Sequence, residues 1–103
     1  VQWKRVAEVK ATPSFTEPHV YYWGDVFQDK ILGNPRAEWV DAAKTAKDLG
    51  LKYSFNDDSL APARPLMFIQ TAVTRQTDDG RELNPDQKIS IEDAIKGVTL
   101  YPA

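Results

Sequence analysis

Gly50-Leu51-Lys52-Tyr53-Ser54-Phe55-Asn56-Asp57-Asp58 is the stretch that decides the fold. Residues 51–55 are rich in aromatic and apolar side chains, and they stand between a glycine and a trio of turn-forming polar residues. That pattern predicts a short buried strand closed by a turn. On its N-terminal side, residues 36–49 predict a helix. Gly33-Asn34-Pro35 starts it, since Pro suits the first helical position. Trp39, Ala43 and Ala46 form its buried stripe, and Gly50 caps its end. On the other side, a loop with Pro62 and Pro65 leads into a second helix over about Leu66–Arg75, with Leu66, Ile69 and Val73 as its apolar stripe.

Further out, residues 1–10 predict the end of a helix. Trp3, Val6 and Ala7 lie on one face, and Lys4, Arg5 and Glu8 on the other. Pro13 stops that helix, and the apolar segment Ala11–Phe15 reads as another buried strand. Pro18-His19-Val20-Tyr21-Tyr22-Trp23-Gly24-Asp25 reads as an aromatic loop, and Asp78-Asp79-Gly80 as a turn. Ser90 and Asp93 have capping-box spacing, with Ile91, Ala94, Ile95 and Val98 as the helical face behind them. The order helix–strand–helix–strand–helix–helix predicts an α/β arrangement of two consecutive strand–helix units in a parallel sheet. Ala11–Phe15 and Leu51–Phe55 are then adjacent parallel strands.

Composition excludes several classes. At 103 residues the chain holds one small domain. Its apolar and charged fractions, 42% and 27%, are those of a folded globular protein. A formal net charge of −2, with basic residues scattered singly, gives no reason to expect nucleic acid or an acidic membrane as partner. No stretch approaches the roughly 20 apolar residues of a membrane span. The absence of cysteine removes disulfides, thiolate metal sites and cysteine nucleophiles, and leaves the compartment open. The start at Val1-Gln2-Trp3-Lys4-Arg5, without Met or a signal-peptide pattern, points to a chain cut from something longer.

Three segments together resemble one family. They are Thr12-Pro13-Ser14-Phe15 leading to His19-Val20-Tyr21-Tyr22-Trp23-Gly24-Asp25; then Phe55-Asn56-Asp57-Asp58 with Pro62, Pro65 and Leu66; then Ile69-Gln70-Thr71-Ala72-Val73-Thr74-Arg75 with Asp79-Gly80, Leu83 and Ile89-Ser90-Ile91-Glu92-Asp93-Ala94. In order and spacing they resemble the last third of the metal-dependent amidohydrolases, the group that includes N-substituted formamide deformylase. The resemblance implies a fold: residues 1–103 would be the C-terminal part of a (β/α)8 TIM-type barrel, about its last two strand–helix units. Ala11–Phe15 would be the seventh strand and Leu51–Phe55 the eighth.

The resemblance also implies chemistry. Barrel enzymes react at the C-terminal ends of their strands. In this family an Asp at that place ligates the catalytic metal and takes a proton from the attacking water. Counting back nine residues from Leu66 of the Pro65-Leu66 pair gives Asp57, which is therefore the expected catalytic residue and metal ligand. Asp58 takes that role if the register shifts by one, and the trio 56–58 is otherwise an ordinary polar turn. The chain departs from the family at Phe55, where His is usual, and at Glu17-Pro18, where Ile-Gly is usual.

His19, Tyr22 and Trp23 are the expected substrate-binding residues: Tyr22 and Trp23 shape an apolar pocket for the acyl or N-substituent, and His19 lines the pocket or donates to a carbonyl. Their ordinary alternatives are a hydrogen-bonded loop histidine and core-anchoring aromatics. Arg75 is sufficiently explained as a cation at a helix end. The expected protein is thus a fragment of a metal-dependent hydrolase, inactive alone, that cleaves a carbon–nitrogen bond of an amide or formamide. Its cofactor is zinc or a similar divalent ion held mostly by residues upstream. Its partners are a small-molecule amide, the remainder of the same enzyme and a second copy in a homo-oligomer. The competing reading is a freestanding α/β module that binds a partner through the aromatic segment without catalysis.

Overall fold

In the computed structural model, which describes residues 2–58 and 63–103, the chain runs α1 (Trp3–Glu8), β1 (Ser14–Phe15), α2 (Pro18–Val26), α3 (Ala43–Asp48), β2 (Ser54–Phe55), α4 (Pro65–Thr74) and α5 (Ile91–Val98). A π turn over Phe27–Ile31 extends α2, and 3-10 turns occupy Arg36–Trp39 and Pro85–Gln87. β1 and β2 are parallel, with Ser14 opposite Ser54 and Phe15 opposite Phe55. The expected strand pair is therefore present, though each strand keeps two residues where five were read. Mixed helix and strand is the architecture.

Local chemistry explains the approach to β2. Gly50, at φ 73°, donates its N–H to Lys47 O at 2.9 Å, and Leu51 donates to Ala46 O at 3.0 Å. Together these bonds make a Schellman cap, which ends α3 and turns the chain into β2. Phe15 and Phe55 then point into one apolar cluster with Tyr53, Phe68, Ala72 and Ala94. The rings of Trp3 and Phe15 lie 6.1 Å apart, and the expected inner face of α1 is half-buried there. Ser90 caps α5, its Oγ accepting from Asp93 N–H at 3.1 Å.

Four expectations need correction. The aromatic segment 18–25 is helix α2, not a loop. Pro18 sits in its first turn, where a missing N–H costs nothing, and Val20 and Gly24 form its buried side. A Cβ on Gly24 would lie 2.7 Å from Thr77 Cγ2, so glycine is what lets α2 meet the turn 77–81.

The helix read over 36–49 is broken at residues 40–42. Asp41 is left-handed, at φ 49°, and the carbonyls of Val40 and Asp41 accept from the Arg75 guanidinium instead of from a helical ladder. Trp39 is consequently 57% exposed, and Ala37 takes the buried place.

On α4 the buried face runs through Phe68, Thr71 and Ala72, while Leu66 is 81% exposed. On α5 it runs through Ala94 and Gly97, leaving Ile91 and Ile95 exposed. Gly97 is the reason. A Cβ there would come within 2.9 Å of Phe55 Cε2 and 3.0 Å of Tyr53 Cε2, so the helix rests on those rings along its small residues.

Candidate functional site

The C-terminal ends of β1 and β2 are joined by one side chain. Asn56 donates from Nδ2 to Ser14 Oγ at 2.7 Å, and its Oδ1 accepts from Thr16 Oγ1 at 2.9 Å. Its backbone N–H donates to Phe15 O at 2.8 Å. This clasp fixes where the chain leaves β2. Asp57 follows it, half-buried, and Asp58 beyond is exposed. Pro62, part of the sequence motif, lies outside the described residues, and Pro65 opens α4.

His19 lies in the first turn of α2, half-buried, with its ring edge-on to Phe27 at 6.2 Å. Tyr22 and Trp23, on the same helix, are 39% and 50% exposed, so neither anchors the core. A groove of about 700 Å³ runs between α2 and the first turn of α4. Tyr22, Leu66 and Met67 give it apolar walls, and Arg64 and Gln70 polar ones. Tyr21 lines it too, its hydroxyl raised in pKa chiefly by the hydrogen bond to Asp78. Of the four expected site residues, Tyr22 belongs to this lining. His19, Trp23 and Asp57 do not.

Asp25, the last residue of the aromatic motif, has a structural partner. Arg81 Nε reaches its Oδ1 at 2.6 Å and grips Asp29 with both Nη atoms at 3.1 and 2.9 Å. That hydrogen bonding holds the Asp29 carboxyl below its usual range.

Sequence reasoning missed a buried charged cluster behind α2. Arg75 is fully buried and donates to three backbone carbonyls, Leu83 O at 3.0 Å, Asp41 O at 2.9 Å and Val40 O at 2.8 Å. Glu17, two residues past β1, is also fully buried, and neither carboxyl oxygen has a hydrogen-bond partner. Asp41 Oδ2 is in the same state. Burial above all, then the charge of Asp41, pushes the Glu17 carboxyl well up, against the pull of Arg75. Burial raises Asp41 as well, but Arg75, His19 and the Thr16 N–H favour its charged form. The Glu17-Pro18 departure from the family pattern was the one sequence signal that marked this place.

Among the described residues, no group of three or more His, Asp or Glu side chains is arranged to hold a metal ion. One carboxylate at a strand end suits a divalent cation as one ligand of several. The family model described as "Amidohydrolase family" matches residues 2–103. No curated protein and no solved structure matches the chain.

Proposed function

Because the chain belongs to the amidohydrolase family, we propose that it is the C-terminal part of a (β/α)8 barrel in a metal-dependent hydrolase that cleaves the carbon–nitrogen bond of an amide or formamide. The observation that carries this reading is the parallel β1–β2 pair with Asp57 leaving the C-terminal end of β2, just after the Asn56 clasp. Catalytic groups of barrel enzymes stand at that level of the strands.

In this reading Asp57 is one ligand of the cation and accepts the proton of the attacking water. The remaining ligands come from residues outside 1–103. A divalent ion, zinc in the first instance, supplies a water acidic enough to attack near neutral pH. Asn56 holds the Asp57 backbone in register with β1, so the carboxylate does not have to be ordered anew at each turnover. Tyr22 and its neighbours in the groove bind the apolar part of the substrate, with His19 and Trp23 on the same helix contributing as the barrel closes around it. The partners are the amide substrate, the rest of the barrel and a second copy of the enzyme.

The test is Asp57→Asn in the intact protein. Turnover should fall by at least the roughly 10²–10⁴-fold of a lost general base, and bound metal should fall with it, at unchanged fold. Asp58→Asn should be nearly silent. Loss of activity in Asp58→Asn with Asp57→Asn spared moves the role by one residue. Full activity in both variants ends the catalytic reading of this segment.

A further inference from the structure

The most unusual chemistry in the chain is not at Asp57. It is the cluster of Glu17, Asp41 and Arg75, where a fully buried carboxyl without a hydrogen-bond donor lies beside a half-buried one and a buried guanidinium that is spent on backbone carbonyls. We infer that this cluster is a proton-governed lock: Glu17 is a neutral acid while the start of α2 is docked, and losing that proton to solvent frees α2 from the Val40–Asp41 turn.

The geometry assigns the parts. Arg75 is committed to three backbone carbonyls, two of them in the 40–41 turn, and holds that turn in place. Burial raises Asp41 too, but Arg75, His19 and the Thr16 N–H, which it accepts, favour its charged form, so of the two carboxyls it is the better placed to hold the negative charge. That leaves Glu17, whose two carboxyl oxygens have no donor. A second negative charge there would be buried, unpaired and next to Asp41, an expensive arrangement that a proton removes. Tyr53 also faces Glu17, and its hydroxyl, pushed up by burial, stays protonated and adds no charge. Glu17 is the residue that leads into α2, and α2 carries Tyr21 and Tyr22 into the groove. The state of one proton therefore bears on the shape of that groove.

The sign follows from linkage. Glu17 is raised in the folded state above its ordinary 4.5. Its neutral form favours docking at low pH, and that advantage is lost as pH rises through the folded value. The undocked population should grow by up to about tenfold per pH unit across that window, then level off.

The experiment is hydrogen exchange of the α2 amides in the intact protein across pH 5 to 9, corrected for intrinsic exchange, for wild type, Glu17→Gln and Asp41→Asn. Wild-type protection should fall with rising pH. In Glu17→Gln, which mimics the neutral acid, protection should be flat and at least as high. In Asp41→Asn the fall should move to lower pH, because the charge that raises Glu17 is gone. Infrared difference spectra of wild type against Glu17→Gln at the low end of that pH range should show a protonated carboxyl band in wild type alone. Identical pH profiles in wild type and Glu17→Gln overturn the inference. So does an absent carboxyl band, and so does a Glu17→Gln protein that cannot fold at neutral pH, since the charge would then be required.

Discussion

Replacing Arg75 by Met keeps most of the apolar stem and deletes the guanidinium. Three buried or half-buried carbonyls lose their donor, at Leu83, Asp41 and Val40. A donor on a charged group contributes about 1.5–3 kcal/mol, so the gross loss over three bonds is comparable with the whole stability of a small domain. These terms share one side chain and do not add. The controlling one is the set of carbonyls left without a donor, since an unsatisfied buried acceptor costs about 1–3 kcal/mol. The left-handed backbone at residue 75, φ 55°, strains Arg and Met alike and cancels. Urea unfolding of the intact protein at neutral pH should thus show Arg75→Met destabilised by about 3–5 kcal/mol. In an Asp41→Asn background the same change should cost somewhat less, because the carboxylate charge that the guanidinium favours is gone. Arg75→Lys should not rescue, because an ammonium cannot span three diverging carbonyls. An Arg75→Met protein within about 1 kcal/mol of wild type would refute the reasoning, whatever its activity.

Gly97→Ala gains about 1 kcal/mol of helix propensity but drives a methyl into the Phe55 and Tyr53 rings, where overpacking costs about 1–3 kcal/mol. A net loss of stability is expected by thermal melting, and a stabilised variant would show that α5 does not rest on those rings. Trp23→Ala removes a half-exposed side chain, so the loss should stay well below the roughly 3–5 kcal/mol of a fully buried Trp. Its substrate profile should change instead, and an unchanged profile would take Trp23 out of the substrate site.

Elements announced by local chemistry were legible in the sequence. Gly50 marked the end of α3, Ser90 and Asp93 the start of α5, and Pro65 the first turn of α4. The parallel pairing of β1 and β2 followed from their order and the helices between them. What escaped depends on partners far along the chain. α2 buries Val20 and Gly24 against residues some fifty positions later, and its aromatics face outward, so no helical apolar stripe is visible at 18–25. Asp41 breaks the helix at 36–49 because Arg75 claims its carbonyl, a fact no window around residue 41 contains. Arg75 itself had an adequate local explanation at a helix end, which is why its burial was not foreseen. Asp57 was legible as a position past a strand, while the Asn56 clasp that fixes its backbone joins residues 40 to 42 apart.

The clasp also bears on the order of events as the chain folds. Thr16 and Asn56 are 40 residues apart, Thr45 and Gln87 are 42, and Val40 and Arg75 are 35. Closing a flexible loop of that length costs on the order of 3 kcal/mol, and one neutral hydrogen bond contributes only about 0.5–1.5 kcal/mol. None of these closures persists alone. Helices α4 and α5 can form from their neighbours in sequence, but the strand ends meet only when the Phe15–Phe55 core gathers around them. The site therefore arrives last and all at once. A growing chain that has not yet supplied Asn56 has no partial version of it to misuse.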